Sequence, residues 1–174
     1  MADNDHGSRL SKTEFQSTFA KLSLSLSKDP TKHRLVNLNI NSFQNLSSKA
    51  IGGAENLSRF MELSSLTIFN GDLITCDDRT GKIMKVDKKK SLVYLWVDLG
   101  KEFDPNFKCE WLTVKDEKLY AGSFGKVFSD PHTGETIHSK FLKVYRINRD
   151  GIAEQLDWKD NYEKVQVILF GFIF

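Results

Sequence analysis

The sequence predicts an all-β fold and, within that class, a β-propeller. The segment Leu66–Ile74 recurs 46 positions later as Leu112–Tyr120, with similar apolar residues at matched places and a polar turn between the halves. Asn70-Gly71 lies at the turn of the first copy, and both residues accept the positive φ of a tight hairpin. Short strands that repeat every ~40–45 residues are typical of propeller blades. We therefore expect about two blades plus part of another.

The region before the repeat divides into two parts. Residues 1–16 are predicted to be a disordered leader, because they are mostly polar or charged and offer little to bury. Residues 17–62 are assigned to the outer strands of a preceding blade and a crossing segment. The crossing itself is expected over the polar residues 41–62.

The apolar residues near the N-terminus follow two different spacings. Phe15, Phe19 and Leu22 have helical spacing, which predicts one or two helical turns. Strict alternation of apolar and polar residues predicts strands over Leu22–Leu26 and Val36–Ile40. This pair is interpreted as a hairpin.

The two repeat copies predict two blades, over residues 63–108 and 109–164. The first blade is expected to have four strands, at Leu66–Asn70, Leu73–Asp77, Lys82–Asp87 and Leu92–Val97. The sequence of the second copy again corresponds to that of the first at Leu142–Ile147, after an insert over 129–140. Its fourth strand is Ile152–Trp158.

The last residues, 165–174, form a divergent and almost wholly apolar tail. We expect an unpaired strand here, which would promote aggregation and low solubility. Repeat units need neighbours to bury their faces, so two blades and a fragment do not close a ring. The expectation is a truncated product, or an alternative tail in place of missing blades.

The charge balance gives no electrostatic reason to expect nucleic-acid binding. The chain has 25 basic and 23 acidic residues, and its only basic run, Lys88–Lys90, is interpreted as a solvated turn. No window approaches the ~20 apolar residues of a membrane span. The first 30 residues contain no apolar stretch typical of a signal peptide. Two glycosylation sequons, at Asn45 and Asn56, weigh lightly towards a secretory route.

The chain has two cysteines, Cys76 and Cys109, which alone make neither a zinc site nor a disulfide framework. We expect buried free thiols; a single disulfide between them is the alternative that the sequence leaves open. The four histidines lack metal-ligand spacing and are interpreted as solvated. Glycine-rich phosphate loops and the G-x-S-x-G pattern are absent, so dinucleotide-binding, NTPase and hydrolase-elbow functions lack support.

The repeat pairs Ser64 with Glu110, just before the first strand of each blade. In a propeller that strand lines the central channel, so both oxygen-bearing side chains would point at one axis. Calcium takes about 6–8 oxygen ligands and accepts mixtures of carboxylate and neutral oxygens. The alternative is that Ser64 caps a turn and Glu110 is a surface acid.

A second candidate group is the charged turn Asp77–Gly81. An acid here would orient water or a metal, and the Arg79 guanidinium would bind phosphate oxygens in bidentate fashion. The alternative is ordinary turn chemistry with a local salt bridge.

Four segments together are specific enough to identify a family: Met61-Glu62-Leu63-Ser64, Ile68-Phe69-Asn70-Gly71, Asp77-Asp78-Arg79-Thr80-Gly81 and Phe107–Glu117. They resemble the calcium-activated nucleotidases, the apyrase family of animal secretory compartments and the saliva of blood-feeding arthropods. The resemblance runs from roughly Ser17 to Lys164. It implies a five-bladed propeller with calcium at its axis. It also implies hydrolysis of nucleoside di- and triphosphates, with UDP, GDP and often ADP as substrates.

The resemblance implies a calcium site at the central axis, with ligands from the starts of successive blades. Ser64 and Glu110 match calcium ligands from successive blades. Ser65 occupies a position where the family usually carries aspartate, so it is a candidate ligand with one carboxylate fewer. A lower ligand charge predicts weaker calcium binding.

The resemblance also implies catalytic and substrate-binding residues. Asp78 matches an acid required for activity, and Asp78 and Glu110 are the candidate catalytic residues. Asp77 and Arg79 are the candidate substrate-binding residues, beside the phosphates. Calcium would assist the attack of water on the terminal phosphorus.

The sequence departs from the family in places. The family's opening Asp-Leu-Asp segment is absent, and from Val165 its Pro-Gly-Tyr and His-Glu-Ser run is missing. The leading hypothesis is a truncated calcium-dependent nucleoside diphosphatase, secreted or in the ER or Golgi lumen like its relatives. A homodimer is the expected way to supply the absent blades. The rival hypothesis is a non-catalytic β-rich binding or structural piece.

Overall fold

Most of the described chain is β-structure, which confirms the all-β prediction. The computed structural model describes residues 8–26, 35–49, 60–90, 92–104, 107–130, 132–138 and 142–171. Its strands are β1 (Glu14–Leu26), β2 (Leu35–Lys49), β3 (Leu63–Phe69), β4 (Asp72–Asp77), β5 (Lys82–Asp87), β6 (Leu92–Asp98), β7 (Trp111–Lys115), β8 (Lys118–Gly122), β9 (Phe128–Ser129), β10 (Thr136–His138), β11 (Lys143–Ile147) and β12 (Ala153–Asp157). The helices are α1 (Leu99–Glu102) and α2 (Lys159–Gly171).

Two four-stranded antiparallel units dominate the fold. Strands β3 to β6 lie in the order β6-β5-β4-β3, and the second sheet has the order β12-β11-β8-β7. In each unit the first strand therefore lies at one edge and the others follow it outward in sequence order. All the strands predicted for these two units occur, with small shifts at their ends. This is the strand order of a propeller blade.

The 46-residue repeat is a structural repeat with identical strand register. In the first unit Leu66 pairs with Thr75 and Phe69 with Asp72. In the second, Leu112 pairs with Ala121 and Lys115 with Lys118, which are the positions 46 residues later. The short β9–β10 pair lies within the predicted insert between β8 and β11. The repeat thus fixes Ser64 and Glu110 at equivalent places.

Both repeat hairpins turn through two residues with positive φ. Asn70 and Gly71 have φ of 51° and 80°, as expected for this pair. Asp116 and Glu117 have φ of 48° and 57° at the matched places. Aspartate tolerates the left-handed region, but glutamate is unusual there, so the second turn takes its shape with one locally favourable residue instead of two.

The larger hydrophobic core lies between the two units. Strands β4 and β5 contribute Ile74 and Ile83, and β8 and β11 contribute Leu119, Tyr145 and Ile147. A second core cluster packs Phe15 and Leu46 of the N-terminal hairpin against residues that include Phe60, Leu63 and Met84. The first unit is therefore covered on both faces.

A disulfide joins Cys76 to Cys109, so the expectation of free thiols is wrong. The two Cα atoms are 5.9 Å apart, and both residues are fully buried in the larger core. Cys76 lies near the end of β4 and Cys109 two residues before β7. Their meeting depends on the packing of one unit against the other, which spacing along the chain does not encode.

The N-terminal hairpin is longer than predicted, and the helical turns predicted over Phe15–Leu22 are wrong. Strand β1 begins at Glu14 and pairs with β2 along its whole length. The residues Phe15 and Ser17 are buried while Glu14 is exposed, which is the alternation of a strand. Strand β2 continues to Lys49, into the predicted crossing, and joins β6 in parallel at Ser47 and Leu92.

The apolar tail is helical as far as Gly171, so the strand predicted from residue 165 is wrong. The helix α2 starts just after β12, where Tyr162 N–H donates to the Trp158 carbonyl. A short apolar run does not distinguish strand from helix by itself. Among the described residues, neither helix has the length and apolar character needed to cross a membrane.

Removing the disulfide should lower stability substantially. The bond closes a loop with a sequence separation of 33, and bridges of this kind stabilise by about 2–4 kcal/mol. We expect the double variant Cys76→Ala/Cys109→Ala to lose that much unfolding free energy in urea titrations. Wild-type protein treated with reductant should shift in the same direction. Detection of two alkylatable thiols in unreduced, denatured protein would contradict the assignment.

Candidate functional site

The candidate residues of both units lie at one edge of the fold. Antiparallel pairing places the start of β3 beside the end of β4, where Leu63 pairs with Asp77. It likewise places the start of β7 beside the end of β8, where Trp111 pairs with Gly122. Strands β3 and β7 contact each other. We call this region the site edge. It is the end of the two sheets at which β3 and β7 begin and β4 and β8 finish, and it includes the turn after β4.

Ser64 lies at an irregularity of its strand. Leu63 pairs with Asp77 and Ser65 pairs with Cys76, so Ser64 is the additional residue of a β-bulge. Bulges re-aim side chains and are common beside active sites. The Ser64 side chain is exposed.

Ser65 connects the two units directly. Its hydroxyl oxygen accepts a hydrogen bond of 2.9 Å from the backbone N–H of Leu112. Its carbonyl accepts a bond of 2.7 Å from the hydroxyl of Thr75. Ser65 thus makes a contact between the neighbouring first strands. After accepting this bond, its hydroxyl still has one lone pair and its own O–H group.

Glu110 lies at the start of the second unit and is half-buried. Its backbone N–H donates to the Gly122 carbonyl at 2.9 Å, which extends the β7–β8 ladder by one residue. The disulfide at Cys109 holds this segment against the end of β4. Glu110 is therefore held at the site edge by its backbone.

Asp77 is a buried carboxylate whose two oxygens both accept hydrogen bonds from the protein. One oxygen accepts from Glu62 N–H at 2.9 Å. The other accepts from Thr80 N–H at 2.9 Å and from the Thr80 hydroxyl at 2.5 Å. These bonds join the segment before β3 to the turn after β4. Contact with substrate, the role expected for Asp77, stays a prediction.

Asp78 lies beside Asp77 but differs in environment. Its Oδ2 accepts a bond of 3.3 Å from Lys108 Nζ. Its Oδ1 is buried and has no hydrogen-bond partner in the described part of the chain. A buried carboxylate oxygen without a donor is costly, so this atom marks a place for water, a metal ion or substrate.

Arg79 is exposed and makes no ion pair with the residues that the structure describes. The local Asp-Arg salt bridge, considered as the alternative from sequence, is thus replaced by the longer-range pair of Asp78 with Lys108. Contact with substrate, the role expected for Arg79, stays a prediction.

Sequence reasoning missed two features near the site edge. Lys108 was not singled out, because its pairing with Asp78 depends on the approach of the two units. Met61, in the segment before Ser64, is fully buried and has a φ of 65°. A bulky residue in the left-handed region is rare and costs free energy, and such strain clusters at functional sites. No motif of the sequence indicates this backbone conformation.

Three candidate residues at the site edge carry oxygen donors of the kind that a hard cation takes. Ser64, Glu110 and Asp78 offer neutral and anionic oxygens, the donor type that calcium prefers. Across the described ranges, however, no three histidine, cysteine, aspartate or glutamate side chains come together as a complete metal site. Calcium needs about 6–8 oxygens, so this chain would supply only a fraction of them.

The chain is similar to a set of nucleotide-hydrolysing proteins. A family model described as Apyrase matches residues 3–170. The chain is 44% identical over 114 residues to an apyrase of Cimex lectularius, covering 62% of this chain and 30% of that protein. It is 37% identical over 109 residues to the soluble calcium-activated nucleotidase 1 of Rattus norvegicus, covering 62% and 27%.

A nematode relative matches over more of the chain. Apyrase apy-1 of Caenorhabditis elegans is 32% identical over 167 residues, which cover 95% of this chain and 45% of that protein. The chain therefore spans between about a quarter and a half of the length of these relatives.

The buried carboxylate should give stability a distinctive pH dependence. Burial raises the pKa of Asp77 from 3.8 to about 6. Between these values the folded protein keeps a proton that the unfolded chain has lost. The free energy of unfolding should therefore fall as the pH rises from about 4 to 6, by on the order of 3 kcal/mol.

Two substitutions test whether Asp77 causes this pH dependence of the unfolding free energy. Asp77→Asn should be less stable throughout, because its single amide oxygen cannot accept from both Glu62 N–H and Thr80. The fall of its unfolding free energy across this pH window should nevertheless be smaller. Asp116→Asn, at an exposed turn, should keep the wild-type slope. Urea unfolding at pH 4, 5 and 6 measures all three proteins. Equal slopes for wild type and Asp77→Asn would contradict the assignment.

Proposed function

The chain belongs to the apyrase family, and from this we propose that it forms part of a calcium-dependent hydrolase of nucleoside di- and triphosphates. The expected substrates are of the UDP, GDP and ADP class, with release of inorganic phosphate. The observation that carries the proposal is the site edge. There, equivalent positions of two repeats and the turn Asp77–Gly81 lie together, within a chain that the family model matches almost throughout.

The proposed roles follow from the charge of each side chain and from the hydrogen bonds that it already makes. Ser64 and Glu110 would hold calcium, with Ser65 as a weaker ligand since its hydroxyl already accepts from Leu112. When bound, calcium supplies positive charge that stabilises the phosphate oxygens. Arg79 would bind a further phosphate oxygen.

Asp78 would orient the attacking water through Oδ1, the oxygen that accepts no hydrogen bond from the described residues. Water forms a new bond to the terminal phosphorus while the bond to the bridging oxygen breaks, and the water proton passes to a carboxylate. Asp77 would act by holding the turn that carries Asp78 and Arg79. Glu110 is the second candidate acid.

The two units would be successive blades of a five-bladed propeller. Their first strands are adjacent, and their faces enclose a common core, which is how neighbouring blades pack. The remaining ligands would come from further blades or from a second copy of this chain in a homodimer.

A location in the secretory pathway fits the same picture. Disulfides persist in oxidising compartments and are rare in the cytosol. The Cys76–Cys109 bond is buried between the two units, and the sequon residue Asn45 is exposed. We propose secretion or residence in the ER or Golgi lumen.

A non-catalytic binding or structural role is the second candidate. It is favoured by Ser65, which replaces a family carboxylate and whose hydroxyl makes a contact between strands. In that case the fold would persist without a competent metal site.

Phosphate release decides between the two functions. The protein is incubated with UDP, GDP and ADP, with millimolar calcium or with chelator. We expect release that needs calcium and that falls by at least about 100-fold in Glu110→Gln, since the negative charge of a ligand is lost. The matched control is Glu117→Gln, an exposed acid paired with Arg149 at 2.7 Å, which should keep wild-type activity. No release from any nucleotide would exclude hydrolysis by this chain and favour the second candidate.

Restoring the family's carboxylate should strengthen calcium binding. We expect Ser65→Asp to lower the calcium concentration that half-stabilises the protein against heat by about tenfold, because ligand charge tunes affinity. Ser65→Ala removes the acceptor for Leu112 N–H without adding charge, so it should lower stability and leave the calcium midpoint unimproved. A midpoint that is the same in wild type and Ser65→Asp would argue against a metal at this position.

A further inference from the structure

Lys108 places a positive charge at the site edge. Its Nζ lies 3.3 Å from Asp78 Oδ2, and the two side chains are only 32% and 13% exposed. Ion pairs between fully exposed side chains hold their groups weakly, because water and salt screen the charges. Partly buried pairs are screened much less. The ammonium group of Lys108 is therefore able to hold the Asp78 carboxylate in one orientation.

The backbone on both sides of Lys108 is anchored. Phe107, the residue before it, is buried and packs edge-on against Tyr145 with ring centroids 4.6 Å apart. Cys109, the residue after it, is buried and bonded to Cys76. Lys108 therefore extends from a segment whose position is fixed by the packing of the two units.

The turn that carries Asp78 lies directly against this segment. Gly81, at the end of the turn, has a φ of 64°. A side chain at Gly81 would lie 3.2 Å from both the carbonyl oxygen and the ring of Phe107, which is closer than side chains usually approach. Glycine thus permits the close approach that brings Asp78 within reach of Lys108.

Lys108 and Glu62 occupy equivalent positions of the two repeats, since the 46-residue shift pairs them. Glu62 fixes the turn through its backbone: its N–H donates to Asp77 Oδ1 at 2.9 Å, and its carbonyl accepts from Asp78 N–H at 3.0 Å. Lys108 contacts the same turn through its side chain. Asp78 is therefore held at its backbone by the first unit and at its carboxylate by the second.

The two oxygens of Asp78 have different surroundings because of this contact. The last side-chain torsion of aspartate has broad wells, so a carboxylate rotates readily unless one of its oxygens is held. Lys108 holds Oδ2. Oδ1 is buried and accepts no hydrogen bond from the described residues. With one oxygen fixed, the direction of the other is also fixed, and a carboxylate that must place a water molecule for reaction needs such a fixed direction.

We propose that Lys108 is a positioning residue for hydrolysis, which holds the Asp78 carboxylate in the orientation in which Oδ1 faces the attacking water. The inference rests on the proposed function, and within it on the role of Asp78. Lys108 acts through Asp78 and makes no contact of its own with the nucleotide. Its loss should therefore slow the chemical step and leave substrate binding unchanged.

The test separates kcat from KM for phosphate release at saturating calcium, with whichever of UDP, GDP and ADP the wild type hydrolyses fastest. Lys108→Met removes the charge at similar side-chain length, so kcat should fall by about 10- to 100-fold while KM stays within about twofold of wild type. Lys108→Arg keeps a positively charged donor and should recover most of kcat. Lys108→Gln is a second uncharged variant, for use if Lys108→Met does not fold.

The matched control is Lys85→Met. Lys85 pairs with Asp72 at 2.6 Å, at the end of the first unit opposite to the site edge, where β4 begins. Loss of this pair removes a lysine–carboxylate contact from the same sheet and should leave kcat and KM unchanged. Thermal unfolding of each variant gives an assay temperature at which all of them are folded.

The outcomes separate this inference from the proposed function. If wild type releases phosphate and Lys108→Met keeps its kcat, the positioning role is excluded and the hydrolase proposal stands. A rise in KM at unchanged kcat would also overturn the inference, because Lys108 would then bind the nucleotide directly. Equal loss of kcat in Lys108→Met and Lys108→Arg, or in Lys108→Met and Lys85→Met, would indicate general distortion and exclude a positioning role. If wild type releases phosphate from none of the three nucleotides, the hydrolase proposal is excluded, and the inference with it.

Discussion

The contact between the first strands of the two units is the constraint on which the rest of the structure depends. A hydrogen bond from Leu112 to Ser65 joins β7 to β3, and the Cys76–Cys109 bond joins β4 to the segment before β7. The larger core fills the space behind them. Each unit alone would expose an apolar face, so the two units pack together. This packing brings Lys108 to Asp78 and fixes the position of Glu110.

The repeated elements were accessible from sequence because they depend on local periodicity and on a register that two copies share. The 46-residue shift correctly indicated paired hairpins, and with them the equivalent placement of Ser64 and Glu110. The disulfide, the Lys108 contact and the enclosed carboxylate of Asp77 depend on which surfaces meet in space. No spacing in the chain carries that information, so these features required the structure.

The errors at the two ends have a common physical cause. The first error concerns the segment Phe15–Leu22, and the second concerns the apolar tail from Val165. Both segments are short, and over such lengths the helix and strand periods are hard to separate. Tertiary contacts decide them instead: Phe15 packs edge-on against Phe60 with ring centroids 5.3 Å apart. At the other end, Tyr162 and Gln166 tie α2 to the loop after β8. A lone segment gives no sign of either contact.

The two repeat turns differ in how strongly their own residues favour the turn conformation. This difference affects the order in which the two hairpins fold. Asn70-Gly71 prefers the left-handed backbone by itself, so the first hairpin is able to form early and independently. Asp116-Glu117 adopts the same conformation with a glutamate at the second position, where the left-handed backbone is disfavoured. We therefore expect the second hairpin to fold late, using the completed first unit as a template. In a chain made on the ribosome, that order matches the direction of synthesis.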